Sequence, residues 1–118
     1  MSIHSVYNID IIPRLQKLGY YISQPGDVLA YIADDIELSN ALEQVPEIIA
    51  RFFGKTSLRL YLLTDKDDTT YSQLVIKIGS SLEPRERVNR LNALIDNWMI
   101  DLSNAVSSKL TISIEKAE

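Results

Sequence analysis

The side chains that could perform chemistry are few in this sequence. His4 is the single histidine and the chain contains no cysteine, so a Cys–His pair and a cysteine zinc site each lack a required group. The four glycines are isolated from one another, and no phosphate-binding loop can be drawn through them. We therefore expect no catalytic residue and no cofactor. The inventory favours a non-enzymatic protein over an enzyme that uses carboxylates or an activated serine.

Two clusters of carboxylates could attract a cation or act as an acid–base pair. Three aspartates fall within residues 65–68, but an EF-hand loop starting there would have Thr70 where glycine is required and Ile76 where the bidentate glutamate belongs. The acidic run at 34–37 falls in a predicted helical region, where neighbouring side chains do not face each other. We interpret both clusters as solvated surface and predict no metal site.

A basic segment offers a second kind of chemistry. Arg85, Arg87 and Arg90 lie at the start of a predicted helix, and arginine can read base edges bidentately. The whole chain is acidic, with 16 acidic against 12 basic residues and a formal net charge of -4, and that balance repels phosphate. We favour a solvated helix face, and we keep a nucleic-acid-associated, antitoxin-like regulator as the alternative hypothesis.

Apolar spacing predicts helices in the first half of the chain. Residues 11–18 form the first, with Asp10 as its expected cap, and residues 20–22 follow as a short extended piece. Residues 24–26 read as a turn. A longer helical region then runs from residue 27 to residue 53.

Asp27 is the expected cap of that longer region. Two other residues, Pro46 and Ser39, are expected to interrupt it. Pro46 lacks a backbone N–H, so the sequence predicts a kink or break just before it. A second break is predicted near Ser39. These expectations leave the packing of the N-terminal helices open.

Period-two alternation predicts strands over residues 58–63, 71–78 and 110–115, and a 3.6-residue period predicts a long helix over 84–106. The first two strands form an antiparallel hairpin. The last strand lies either parallel to the second or antiparallel beside the first. We predict an α+β fold in a single domain spanning 1–118: N-terminal helices, then strand–strand–helix–strand, with a small antiparallel or mixed sheet and the long helix packed on one face.

The hairpin presents two unlike faces. One face is uniformly apolar and is predicted to be core: Leu58, Leu60, Leu62, Leu74, Ile76 and Ile78. The other face is too apolar for bare solvent and too polar for a deep core, and tyrosine and arginine are enriched at interfaces. Either the N-terminal helices or a partner chain covers it. We predict five contact residues on it: Arg59, Tyr61, Leu63, Tyr71 and Val75. The last strand, if it lies at an edge, could also accept another strand.

Four segments of the second half carry a resemblance to a known group: Leu60–Asp65, Leu74–Pro84, Leu91–Asp101 and Lys109–Glu115. Over residues 38–115 the chain resembles small uncharacterised bacterial proteins that are common in cyanobacteria. The resemblance implies an α+β fold and no activity. Because some members are encoded beside small toxin-like genes, it also implies an antitoxin-like or partner-binding role.

These observations together predict a non-catalytic, cytoplasmic protein-interaction module. Its partner is either a second copy, giving a homodimer, or the product of a neighbouring gene. The longest apolar runs are far shorter than the roughly 20 residues that a membrane span requires, so we expect no membrane association.

Overall fold

The computed structural model describes residues 10–54, 56–64, 67 and 72–117. Helices and strands follow one another along these ranges as α1 (Ile11–Lys17), β1 (Tyr20–Ile22), α2 (Pro25–Ile32), α3 (Ile36–Phe53), β2 (Ser57–Thr64), β3 (Ser72–Ser80), α4 (Pro84–Asn97), α5 (Asn104–Ser107) and β4 (Leu110–Lys116), with a short 3-10 turn (Met99–Asp101) between α4 and α5. The predicted α+β class is confirmed. None of the helices in the described ranges combines the length and the apolar character needed to cross a bilayer.

The four strands form one mixed sheet in the order β1-β2-β3-β4. The antiparallel pair β2–β3 is the predicted hairpin and occupies the centre. β1 lies parallel to β2, and β4 lies parallel to β3. The last strand therefore takes the first of its two predicted positions. Each parallel pair needs a crossover, which α2 and α3 supply for β1–β2 and α4 and α5 supply for β3–β4.

Alternation along the strands directs every second side chain to one face of the sheet, which we call the inner face. Helices α1 to α5 contribute apolar side chains to the same core as the inner face of the sheet. Its fully or nearly buried members include Leu15, Ile32, Leu42, Ile49, Leu60, Leu74, Ile76, Ile78, Leu94 and Val106. The fold is thus two layers, with helices on one side of the sheet.

Helix α1 begins at Ile11 as predicted, whereas its expected cap and the start of α2 differ from the sequence prediction. Asp10 precedes α1 but makes no side-chain capping bond. Helix α2 begins at Pro25, so the predicted turn at 24–26 is wrong, as is the prediction that Asp27 caps the helix. Proline at the first helical position is favourable because its missing N–H would be unpaired there anyway. Gln24 turns the chain into the helix with a φ of 51°.

The break between α2 and α3 comes at residues 33–35, ahead of the predicted position near Ser39. Asp35 caps α3 by accepting a hydrogen bond from the N–H of Leu38 at 3.1 Å. Ser39 is buried, and its hydroxyl donates to the carbonyl of Ile32 at 3.0 Å, at the end of α2. Ser39 therefore joins the two helices instead of separating them.

Helix α3 continues through Pro46, so a break there is wrong, while the alternative of a kink stays a prediction. Pro46 has no N–H for the carbonyl of Leu42 four residues earlier. The buried hydroxyl of Tyr20 donates to that carbonyl at 2.8 Å. A side chain from β1 thus replaces the missing helical bond, and burial raises the pKa of Tyr20.

The predicted long helix ends at Asn97 instead of residue 106. The Asn97 side-chain amide donates to the carbonyl of Ala93 at 2.7 Å, in competition with the backbone. The chain restarts as α5, where the Ser103 hydroxyl accepts from the N–H of Val106 at 3.3 Å. Val106 is nevertheless buried in the core, which explains why its spacing resembled a continuous helix.

Candidate interaction surface

The side of the sheet opposite the helices is called the outer face. Strand alternation and register assign these described residues to it: Tyr21, Arg59, Tyr61, Leu63, Gln73, Val75, Lys77, Thr111, Ser113 and Glu115. Tyr61 lies beside Val75, which in turn lies beside Thr111. The face therefore brings together four of the five predicted contact residues. The fifth, Tyr71, lies outside the described residues.

No described helix covers the outer face. The first three helices pack on the inner face, so the expectation that N-terminal helices cover the outer face is wrong for them. Tyr21 is 69% exposed and Leu63 is 56% exposed. Val75 is the exception at 4%, although it does not belong to the cluster of core residues on the inner face.

Arg59 on β2 contacts Tyr61 on its own strand and Glu115 on β4. Its guanidinium carbon lies 5.7 Å from the centre of the Tyr61 ring, within the range of a cation–π contact. Its Nη1 lies 3.6 Å from Oε2 of Glu115 on β4, across the intervening strand β3. Gly79 on β3 makes room nearby, because a Cβ there would overlap the Ser57 hydroxyl. The absence of a side chain at Gly79 keeps this corner of the face open.

An open cavity of about 700 Å³ adjoins Gly79, and Arg59, Glu115, Lys116 and Ser57 contribute to its lining. Its side chains are two cations, one carboxylate and several hydroxyls. Because the carboxylate is already paired with Arg59, the unmatched charge in this cavity is positive. The cavity can accept a carboxylate from another molecule through charge-assisted hydrogen bonds.

The polar groups at the other end of the face bond to one another. The Gln73 amide donates to the carbonyl of Ser108 at 2.8 Å, and the Thr111 hydroxyl donates to the Gln73 side chain. These contacts tie β3 to the start of β4. The surface available to a partner is therefore mainly the tyrosines, Leu63 and the cations.

The three arginines of the alternative hypothesis do not share one face of α4. Residues two positions apart on a helix differ by about 200°, so Arg85 and Arg87 diverge. Arg90 donates to Glu86 at 2.7 Å and to the carbonyl of Phe52 at 2.9 Å. Arg87 lines a small cavity of about 190 Å³. The nucleic-acid hypothesis stays a prediction, with Arg90 already bonded within the chain.

The acidic run at 34–37 has a structural role. Lys109 Nζ lies 2.7 Å from Oδ2 of Asp35 and links the start of β4 to the start of α3. Partial burial raises the pKa of Asp35, but hydrogen bonds from Lys109 and from the N–H of Leu38 outweigh it and lower the pKa. The hydrogen bond to Asp35 raises the pKa of Lys109.

The described residues contain no cluster of three or more His, Cys, Asp or Glu side chains that could hold a metal ion. Of the three aspartates in the acidic loop at 65–68, Asp65 and Asp68 lie outside the described ranges. Asp67 is described and exposed. His4 also lies outside the described ranges, so the expectation that it is not a catalytic residue stays a prediction.

Sequence reasoning missed the outer-face residues of β1 and β4, of which Tyr21 and Glu115 are the most informative. Both come from the edge strands of the sheet, β1 and β4, whose positions the hairpin pattern does not determine. The structure shows the alternation of β1, since Tyr20 and Ile22 are buried while Tyr21 is exposed, but the sequence Tyr-Tyr-Ile carries no polar–apolar alternation that would indicate it. Glu115 could be placed only once β4 was known to lie parallel to β3.

Comparison with known proteins identifies no relative that would assign a role to this surface. No protein-family model, no curated protein and no solved structure matches the chain. The interpretation of the outer face therefore depends on the chemistry of its own residues.

Proposed function

We propose that the chain is a non-catalytic protein-interaction module and that its outer face binds the partner. The observation that carries this proposal is the one-sided packing of the fold. Every described helix lies on the inner face, while Tyr21, Tyr61 and Leu63 on the other side present apolar and aromatic surface. Tyrosine supplies large contact area at little cost in conformational entropy.

The charges of the outer face favour a partner that differs from this chain. Arg59 and Lys77 are directly paired across β2 and β3, and Glu115 compensates only one of them. Two copies docked face to face would bring two faces of net positive charge together, which is unfavourable for like charges. We therefore propose a partner surface with an apolar centre for Leu63 and with carboxylates for Arg59 and Lys77.

The first partner to test is the product of a neighbouring gene, as the resemblance to bacterial proteins beside toxin-like genes implies. The proposal includes a cytoplasmic location, with which a cysteine-free sequence is compatible. No step of the proposed role requires a cofactor or a metal ion.

The experiment compares two matched variants of the full chain. Leu63→Ser removes an exposed leucine from the outer face, and Ile36→Ser removes an isoleucine of similar exposure, 56% against 60%, from the helical layer. The neighbouring-gene product is co-expressed with each chain, and its Kd for each is measured by calorimetry.

The proposal is supported if the neighbouring-gene product binds the unaltered chain, binds Leu63→Ser at least tenfold more weakly, and binds Ile36→Ser as well as the unaltered chain. Arg59→Ala is expected to weaken the same binding and to reduce its salt dependence, because a charged contact is lost. If the neighbouring-gene product does not bind the unaltered chain, it is excluded as the partner. Equal binding by all variants overturns the outer face as the docking surface.

A further inference from the structure

Among the described residues, the edge of β4 away from β3 has no strand beside it. β4 is the last strand in the sheet order, with β3 on its only paired side among the described strands. The N–H of Leu74 donates to the carbonyl of Lys109, and the N–H of Ala117 donates to the carbonyl of Ser80, both at 2.9 Å. These two bonds fix which backbone groups of β4 face its neighbour.

In a parallel ladder, the residues of one strand alternate between bonding to the neighbour and pointing away from it. The odd-numbered residues 109 to 117 therefore bond to β3. The even-numbered residues, which are Leu110, Ile112, Ile114 and Lys116, direct their N–H and C=O groups to the open edge. Each copy of the chain thus has four donors and four acceptors there.

The two edges of the sheet are protected to different degrees. β1 is only three residues long, and short edge strands are one way in which proteins avoid edge pairing. β4 has seven residues, LTISIEK, with no proline, no glycine and its only lysine at the end. It is the longer and less protected template for another strand.

We propose that the edge of β4 binds the β4 strand of a second copy of this chain, antiparallel, about a two-fold axis at Ser113. This register pairs the whole strand. The four outward residues of each copy exchange all their N–H and C=O groups with the partner copy, which gives eight new backbone hydrogen bonds.

The side chains suit this register. On the inner face Ile112 lies opposite Ile114 of the second copy, so two β-branched residues extend the core across the junction. On the outer face Glu115 lies opposite Thr111. The strand's two charges are adjacent at one end, so antiparallel pairing keeps like charges apart, whereas a parallel in-register pair would oppose Glu115 with Glu115 and Lys116 with Lys116.

This assembly does not depend on the proposed function, because it uses the edge of the sheet and leaves the outer face open. The axis is perpendicular to the sheet, so the helices of both copies lie on the same side. The two outer faces then join into one eight-stranded surface. A dimer of this kind presents two copies of the Arg59–Tyr61 site to a partner.

The test is a pair of single-cysteine variants in a chain that has no cysteine of its own. Ser113→Cys places two thiols opposite each other at the axis, in a pair that is not hydrogen-bonded across the junction. Its Cα separation of about 4.5 Å lies within the range that disulfides accept. Thr111→Cys is the control on the same face of the same strand, with its two copies roughly 14 Å apart in this register.

Under mild oxidation we expect Ser113→Cys to form a covalent dimer for most of the protein and Thr111→Cys to form at least tenfold less. Thr111 is the more exposed residue, so random collisions would give the opposite order. Equal cross-linking, or more from Thr111→Cys, overturns the proposed register.

Amide hydrogen exchange of the unaltered chain gives a second readout that needs no substitution. The N–H groups of Ile112 and Ile114 are expected to exchange slowly at high protein concentration and quickly on dilution, while those of Ser113 and Glu115 stay slow in both. Fast exchange of Ile112 and Ile114 at all concentrations, with a monomer by native mass spectrometry, overturns the dimer. Leu63→Ser is expected to leave both readouts unchanged, which separates this proposal from the proposed function.

Discussion

The central strand β3 shows the contrast between the two faces of the sheet within one segment. Ile76 points to the helical layer and is fully buried, and Val75 beside it points to the outer face. Both are nearly inaccessible to water, but their neighbours differ. Ile76 belongs to the core cluster that the helices share, whereas Val75 lies outside that cluster among the described residues. Low exposure by itself therefore does not mean membership of the core.

The largest expected effect is on the inner face. Ile76→Ala removes buried methyl groups and leaves a cavity under the helices, so we expect a loss of about 3 to 4 kcal/mol in the free energy of unfolding. Val75→Ala is expected to cost about 1.5 kcal/mol, because two carbon groups are lost without an enclosed cavity. Urea unfolding of both variants measures the difference. Equal losses would show that the outer face is packed as tightly as the inner one.

The next effect concerns adjacent tyrosines on opposite faces. Tyr20→Phe leaves the buried carbonyl of Leu42 without its donor, at an expected cost of about 1 to 3 kcal/mol. Tyr21→Phe, on the outer face, is the matched control and is expected to change stability little. In a Pro46→Ala background the new N–H can pair with that carbonyl.

The cost of Tyr20→Phe is therefore expected to fall by half or more in the Pro46→Ala background, as measured by a double-mutant cycle on thermal unfolding. An unchanged cost would mean that the Tyr20 hydroxyl does not replace the bond that Pro46 removes.

A smaller effect is expected where the helical layer is tied to β4. Asp35→Ala removes both the cap of α3 and the ion pair with Lys109, for an expected loss of about 1 to 2 kcal/mol. Asp35→Asn retains a capping side chain and loses only the ion pair, worth roughly 0.5 kcal/mol. Chemical unfolding of the two variants separates these contributions, and equal losses would assign the whole effect to the charge.

The pH dependence of this contact follows from the lowered pKa of Asp35. A group whose folded pKa is lower stabilises the fold above its unfolded pKa, about 3.9, and loses that contribution as the pH falls through the folded value. The difference in stability between the original chain and Asp35→Asn should therefore shrink below pH about 3.9. A difference that persists at lower pH would exclude the carboxylate as its source.

The smallest effect is expected on the outer face. Arg59 and Glu115 are both partly exposed, so a double-mutant cycle with Arg59→Ala and Glu115→Ala should give a coupling of about 0 to 1 kcal/mol. The coupling should diminish with added salt. A larger coupling, insensitive to salt, would mean that this corner of the outer face is shielded from water.

The parts of the fold that the sequence predicts are those set by local pattern. Alternation located β2, β3 and β4, and the unlike faces of the hairpin were evident from the order of residues such as Arg59 and Tyr61. The errors have tertiary causes. Pro46 did not break α3 because Tyr20 from another element replaces the missing bond. The helix over 84–106 was divided at Trp98, although the apolar period continued to Val106.

The candidate surface was predictable only where it lies within the hairpin. Tyr21 and Glu115 join it through long-range pairing of β1 and β4, which no local pattern specifies. Which face of the sheet the N-terminal helices would cover was equally open, because the outer face of the hairpin also carries apolar residues such as Leu63 and Val75. Packing of α1 to α3 on the inner face decided it.

The most direct test of the account is hydroxyl-radical footprinting of the isolated full chain, diluted to the monomer. We predict rapid labelling of Leu63 and Tyr21 on the outer face, and protection of Leu60 and Tyr20 on the inner face. Labelling of Leu63 as slow as that of Leu60 in the monomer would show that the chain covers its own outer face, and would contradict its role as a binding surface.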